Sequence, residues 1–402
     1  MTFYLKYFSK IKNYKLLFFI LFFTMISFVH TQDTEYRCGI YEDHIPEIPA
    51  KYYIEKEPTN KRRADSEEFN DFHIYLDLFN LKNDTKKFNK QHYEKLYIDS
   101  MLKAIEILEA LLKVKKPTKN FIFLDEEIKS VLIYDWNKTM IGNSSAGGML
   151  DLGIDLILMA RLDDKMGDST IASAGSRFSD PTNGRPLLGV VNINTNFEYS
   201  KINSDHAFQT TILHEFTHVL GFSGSHFQNK FYNVFKRTDE NGVLRQYINS
   251  SKVLEVARKY FNCPSIDGVE LEESGGSGTV GSHWESRILL GDYMNGVTYY
   301  DEEVISEFTL ALLEDTGYYK PYYYTGGLMR YGKGKGCDFV KNKCVNSGEI
   351  NPKFENEFFD TFLSYYKYDS SCSSEDKVEL TNFYRNIMIF LHTIDISLTM
   401  KN

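Results

Sequence analysis

An α/β or α+β layer fold is what this sequence predicts. Three observations carry it. Apolar residues make up 42% and charged residues 25% of the 402 residues, ordinary values for a chain that folds around a core. In the first half a period-2 stretch, a long amphipathic helix and further strands follow one another. A second helix with strong start and stop signals opens the second half.

Along the chain, Phe72, Ile74, Leu76 and Leu78 alternate with His73, Tyr75 and Asp77, which predicts a strand. Residues 91–116 predict a helix, with Met101, Leu102, Ile105, Leu108 and Leu112 on one face and Pro117 as its stop. Strands follow at about 120–124, 152–162 and 187–194. Residues 205–220 predict the next helix. Asn203, Ser204 and Asp205 are all N-cap types, Phe208, Ile212, Phe216 and Val219 keep helical spacing, and Gly221 ends it. Residues 223–282 read as longer and less regular, and a last helix spans about 306–316 before Gly317.

The N-terminus is expected to stand outside the fold. Lys6, Lys10, Lys12 and Lys15 precede an apolar run at 16–29, too short to span a bilayer comfortably, so residues 1–31 read as a secretory signal peptide. Their removal takes the net charge from −9 to −13, four lysines being lost. Such acidity argues against a nucleic-acid partner. Residues 32–65, ending in Lys61-Arg62-Arg63, read as a pro-segment with a basic processing site. Export changes the reading of five cysteines, Cys38, Cys263, Cys337, Cys344 and Cys372. Cys38 stands alone, and the other four allow three connectivities. Sequons at Asn83, Asn137, Asn143 and Asn249 fit an exported glycoprotein.

The chemistry centres on His214-Glu215-Phe216-Thr217-His218, an H-E-x-x-H on the predicted helix. Residues four apart share a helical face, so both imidazoles reach one ion. Glu215 is turned about 100° from His214 and can serve as general base toward water at the metal without ligating it. Neutral imidazoles suit Zn2+, and three protein ligands leave an open position for chemistry. Gly221 turns the chain away, so the third ligand comes from elsewhere. In the common metzincin arrangement a histidine stands three residues beyond the glycine, but that position is Gly224 here. His226 has the wrong offset. His283 is the better candidate, because Met294 follows it in Asp292-Tyr293-Met294-Asn295-Gly296, the type of turn that floors a metzincin site. Glu240 is discounted as a thermolysin-like ligand because it sits in a polar turn.

These stretches resemble the leishmanolysin family of secreted or surface metzincins. The likeness is carried by Ala172-Ser173-Ala174, Gly184-Arg185-Pro186, the 190–194 strand, HEFTHVLGFS, GSHWESRILLGDYMNG, SEFTLALLEDTGYY and YGKGKGCDF, over about residues 70–345. The resemblance implies an α+β, metzincin-like catalytic domain with a mixed sheet. It implies zinc ligands His214, His218 and His283, the base Glu215 and the Met-turn residue Met294. It also implies that Cys38 acts as a cysteine switch, a thiolate holding the open metal position until the pro-segment leaves. Arg177 stands where many relatives carry a cysteine.

The expected organisation is a signal peptide (1–31), pro-segment (32–65), catalytic lobe (66–222), mostly irregular second lobe with the third histidine (223–330) and small cysteine-containing tail (331–402). The expected function is a secreted or surface zinc metalloendopeptidase acting on extracellular proteins or peptides. Cell-surface association remains open, while residues 387–400 make a poor anchor-attachment tail. The alternative is a catalytically weak or inactive surface adhesion protein of the same fold.

Overall fold

In the computed structural model the described residues are 53–56, 68–78, 81, 91–117, 119–123, 132–134, 140–143, 149, 153–167, 170–197, 205–227, 234–238, 244–273, 278–296, 303–323, 329–342, 345–346 and 349–350. The expected signal peptide, Lys61-Arg62-Arg63, Cys38, Cys344 and Cys372 lie outside them. The fold is mixed α/β with several sheets.

The central sheet is built from Ile74–Asp77 (β1), Leu132–Tyr134 (β2), Met140–Asn143 (β3), Leu156–Asp163 (β4), Ala172–Ser179 (β5) and Pro186–Asn194 (β6). Among the described residues its order is β3-β2-β1-β4-β6-β5. The middle strands β1, β4 and β6 run parallel, with Leu76 beside Leu158 and Val190 beside Met159. Antiparallel β2 and β5 flank them, so the sheet is mixed. Strand β4 is buried through its first five residues, as a central parallel strand covered on both faces must be. On one face Ile157, Met159, Phe178 and Val190 pack with Phe121 and Met149. The other carries two helices, Gln91–Leu111 (α1) and Asp205–Leu220 (α2), which meet through Tyr97 and Phe208 with ring centroids 5.3 Å apart.

Helix α1 ends earlier than its periodicity predicts. Leu112–Val114 leaves the helix as a short strand, pairing with Asn70–Asp71 and with Tyr319–Pro321. Leu111, Leu112 and Val114 are all buried, so the apolar spacing continues while the backbone partner changes. At the same end of the sheet, the Asp155 carboxylate accepts from the His73 N–H at 3.0 Å and pairs with Lys116 at 2.9 Å.

The second half is more regular than expected. Val234–Thr238 (β7), Leu244–Ile248 (β8) and Val269–Leu271 (β9) form an antiparallel sheet. Ser251–Phe261 (α3) buries Val253, Ala257, Tyr260 and Phe261 on one face. It packs on Glu307–Asp315 (α4), where Phe308 lies 5.1 Å from Tyr260 and 5.6 Å from Phe261, centroid to centroid. Asp315 accepts from the backbone N–H groups of Lys252 and Val253 at 2.9–3.0 Å, placing a negative charge at the start of α3. Of the three connectivities left open, the structure contains a Cys263–Cys337 disulfide. Among the described residues no helix is long and apolar enough to cross a membrane.

Candidate metal centre

Helix α2 holds two of the predicted ligands because its apolar stripe locks it down. Phe208, Ile212, Phe216 and Val219 are fully buried. His214 and His218, one turn apart, have Nε2 atoms 2.9 Å from each other. Gly221, at φ 128°, ends the helix in a conformation that favours glycine. The reversal brings the Phe222 carbonyl to 2.5 Å from His218 Nδ1. The helix stop therefore also supplies the acceptor that orients the His218 ring.

His283 arrives on a different support. The Glu272 N–H donates to the His283 carbonyl at 2.9 Å, and the Glu285 N–H donates to the Glu270 carbonyl at 3.1 Å, so the His283 segment lies along β9. Trp284 fixes it from the other side. Its N–H donates to the Met294 carbonyl at 3.0 Å, its indole N–H donates to Thr309 Oγ1 at 2.9 Å, and its ring stands 5.1 Å from Phe222. His283 Nε2 then lies 3.1 Å from His214 Nε2.

All three imidazoles are buried, and their ligating atoms lie within 4.8 Å of one another. Each Nδ1 faces a backbone carbonyl: His214 that of Tyr293 at 2.6 Å, His218 that of Phe222, and His283 that of Thr279 at 3.0 Å. A carbonyl only accepts, so each Nδ1 carries the proton and each Nε2 turns a lone pair inward. Burial holds the rings neutral, His214 down at about 4, His283 at about 3 and His218 well below its ordinary value. Three converging lone pairs without a proton between them fit a cation. Nitrogens about 2.05 Å from one tetrahedral zinc stand about 3.3 Å apart, close to the spacing here.

Glu215 is fully buried on the same helix. Met294 is fully buried in a turn closed by the Asn295 N–H donating to the Asp292 carbonyl at 3.2 Å. The Asp292 carboxylate accepts from the Met294 N–H at 2.6 Å and from the Ser306 and Thr309 hydroxyls. Burial pushes Asp292 up to about 6 against those bonds. His226 is not drawn into the cluster; its Nδ1 lies 2.8 Å from Ser223 Oγ.

Several contributors carry no sequence signal. The three carbonyls belong to residues of unrelated type. Tyr293 adds a hydroxyl 2.8 Å from Thr217 Oγ1. Gly296 permits a close approach, since a Cβ there would stand 2.3 Å from Thr279 Cγ2 and 3.7 Å from His283 Cγ.

Comparison with known proteins points the same way. The leishmanolysin family, peptidase M8, matches residues 98–376. A leishmanolysin homolog from Crithidia fasciculata is 38% identical over 168 residues, covering 41% of this chain and 25% of that protein. A leishmanolysin-like peptidase from Caenorhabditis briggsae is 32% identical over 217 residues, covering 44% and 32%. Leishmanolysin from Leishmania major is 31% identical over 179 residues, covering 43% and 28%. The chain thus spans about a quarter to a third of the length of these relatives.

Proposed function

The chain belongs to the leishmanolysin family, and from that premise we propose that it is a zinc metalloendopeptidase with a metzincin-like catalytic domain. The observation that carries the reading is the convergence of three neutral Nε2 lone pairs in a buried pocket. In this reading His214, His218 and His283 hold the ion. Zinc, when bound, supplies Lewis acidity toward water and a peptide carbonyl.

The protein's own groups do the rest. Glu215 accepts the proton of the attacking water and passes it to the departing amine. The three carbonyl acceptors keep the imidazoles in the Nδ1–H tautomer and fixed in orientation. Met294, whose carbonyl accepts from the Trp284 N–H, would floor the site in this reading. Strand β5 is a sheet edge among the described residues, and an extended peptide would add to it through main-chain hydrogen bonds.

The catalytic unit would comprise residues 66–222 and 223–330, with 331–402 as a tail. Secretion through residues 1–31, glycosylation and latency imposed by Cys38 complete the proposal. The substrates would be extracellular proteins or peptides. A surface adhesion protein would have no use for three buried, unprotonated imidazoles.

The test is metal analysis of the purified chain paired with casein cleavage. One zinc per chain and cleavage abolished by a chelator are expected. Glu215→Ala should keep the zinc and lose several orders of magnitude in turnover. Normal cleavage by that variant would remove the general-base role. Failure of the wild-type chain to bind zinc would remove the whole reading.

A further inference from the structure

Tyr293 meets helix α2 at two points. Its carbonyl accepts from His214 Nδ1 at 2.6 Å, and its hydroxyl lies 2.8 Å from Thr217 Oγ1. His214 and Thr217 are three residues apart, neighbours on one helical face. The direction of the second bond follows from proton bookkeeping. Thr217 Oγ1 donates its hydrogen to the Leu213 carbonyl at 2.8 Å, so Tyr293 donates and Thr217 accepts. Tyr293 itself is held in the Met turn, its N–H donating to the Val304 carbonyl at 3.0 Å, with Met294 next in the chain.

We infer that the Tyr293–Thr217 hydroxyl pair is a positioning device for the metal centre, a clamp that sets the distance between the Met turn and α2 and thereby the orientation of His214. The inference rests on the proposed zinc site and adds two residues to it. The carbonyl contact ties Tyr293 to α2 at one point only. The hydroxyl contact, one helical turn away, adds a second. Both partners are buried, so water does not compete for the bond.

The experiment measures zinc affinity by chelator competition, and the visible spectrum of the cobalt-substituted protein, on the full chain. Tyr293→Phe retains the ring and the carbonyl and removes only the clamp hydroxyl. Thr217→Val removes the acceptor at nearly constant volume, and Thr217→Ser restores it. Tyr293→Phe and Thr217→Val should each weaken zinc binding about tenfold, the lower end of the range for outer-shell partners. Both should alter the cobalt spectrum, while Thr217→Ser should match the wild type. The double variant should lose no more than Thr217→Val alone, because the bond between the two hydroxyls is already gone in each single variant. Unchanged zinc affinity and cobalt spectrum in Tyr293→Phe, even with a lowered melting temperature, would overturn the inference and leave a merely structural bond. Additive losses would overturn it too. A wild-type chain that binds no zinc would instead fail before any substitution is compared, and would overturn the proposed function along with it.

Discussion

Gly189 in β6 lies directly against Val219 in α2: a Cβ at position 189 would stand 2.3 Å from Val219 Cγ1 and 2.8 Å from its Cγ2. Val219 follows His218, so this contact sets how closely α2 lies on the sheet. Gly189→Ala should therefore overpack the interface and cost about 1–3 kcal/mol. Gly189→Ala combined with Val219→Ala should recover much of the loss. Urea unfolding of the three proteins decides it, and a Gly189→Ala variant as stable as wild type would show that the helix can move away freely.

Removal of a single proposed ligand should distinguish the three-histidine cluster from the nearby His226. His283→Ala leaves two imidazoles on α2 and should lower zinc affinity by several orders of magnitude. His226→Ala should leave zinc affinity unchanged, because that ring is bonded to Ser223. Titration with a competing chelator measures both. Equal losses in the two variants would mean the third ligand is misassigned.

Two buried groups give opposing pH dependence in nearly the same window. Burial holds His226 down at about 4, against 6.5 in the unfolded chain. Its neutral form contributes stability above pH 6.5 that is lost as pH falls through about 4. Burial raises Asp292 from 3.8 to about 6. Its protonated form contributes stability below pH 3.8 that is lost as pH rises through about 6. Each slope is at most about 1.4 kcal/mol per pH unit, and in the wild type they offset. His226→Gln should remove the acid-side loss, so that the difference from wild type grows more favourable as pH falls from 6.5 to 4. Asp292→Asn should do the reverse. Denaturant midpoints across that range are the measurement, and difference profiles flat with pH would refute both assignments.

The Cys263–Cys337 disulfide closes a loop of 74 residues that contains β9, His283 and Met294. Chain entropy assigns such a crosslink about 4 kcal/mol. The double Cys263→Ser, Cys337→Ser variant should lose about 2–4 kcal/mol of stability. If unfolding midpoints with and without reductant coincide in the wild type, the crosslink contributes nothing.

The sequence alone determined what depends on neighbours a few residues away. The spacing of Phe208, Ile212, Phe216 and Val219, the cap residues before 205 and the stop at Gly221 made α2 legible together with the shared face of His214 and His218. These features rest on the 3.6-residue repeat and the special freedom of glycine, and both are local. The tertiary structure decided the rest. Leu112–Val114 kept its helical apolar spacing yet became a strand, because Tyr319–Pro321 pairs with it from about two hundred residues away. The missed helix α3 begins at a carboxylate supplied by Asp315, not at a local cap. Composition and spacing offered His283 only as the better of several histidines. Its ring meets His214 because β9 and Trp284 carry it there. The carbonyls of Thr279, Phe222 and Tyr293 were invisible beforehand because every residue has a carbonyl. Only the folded path of the backbone selects which three face an imidazole.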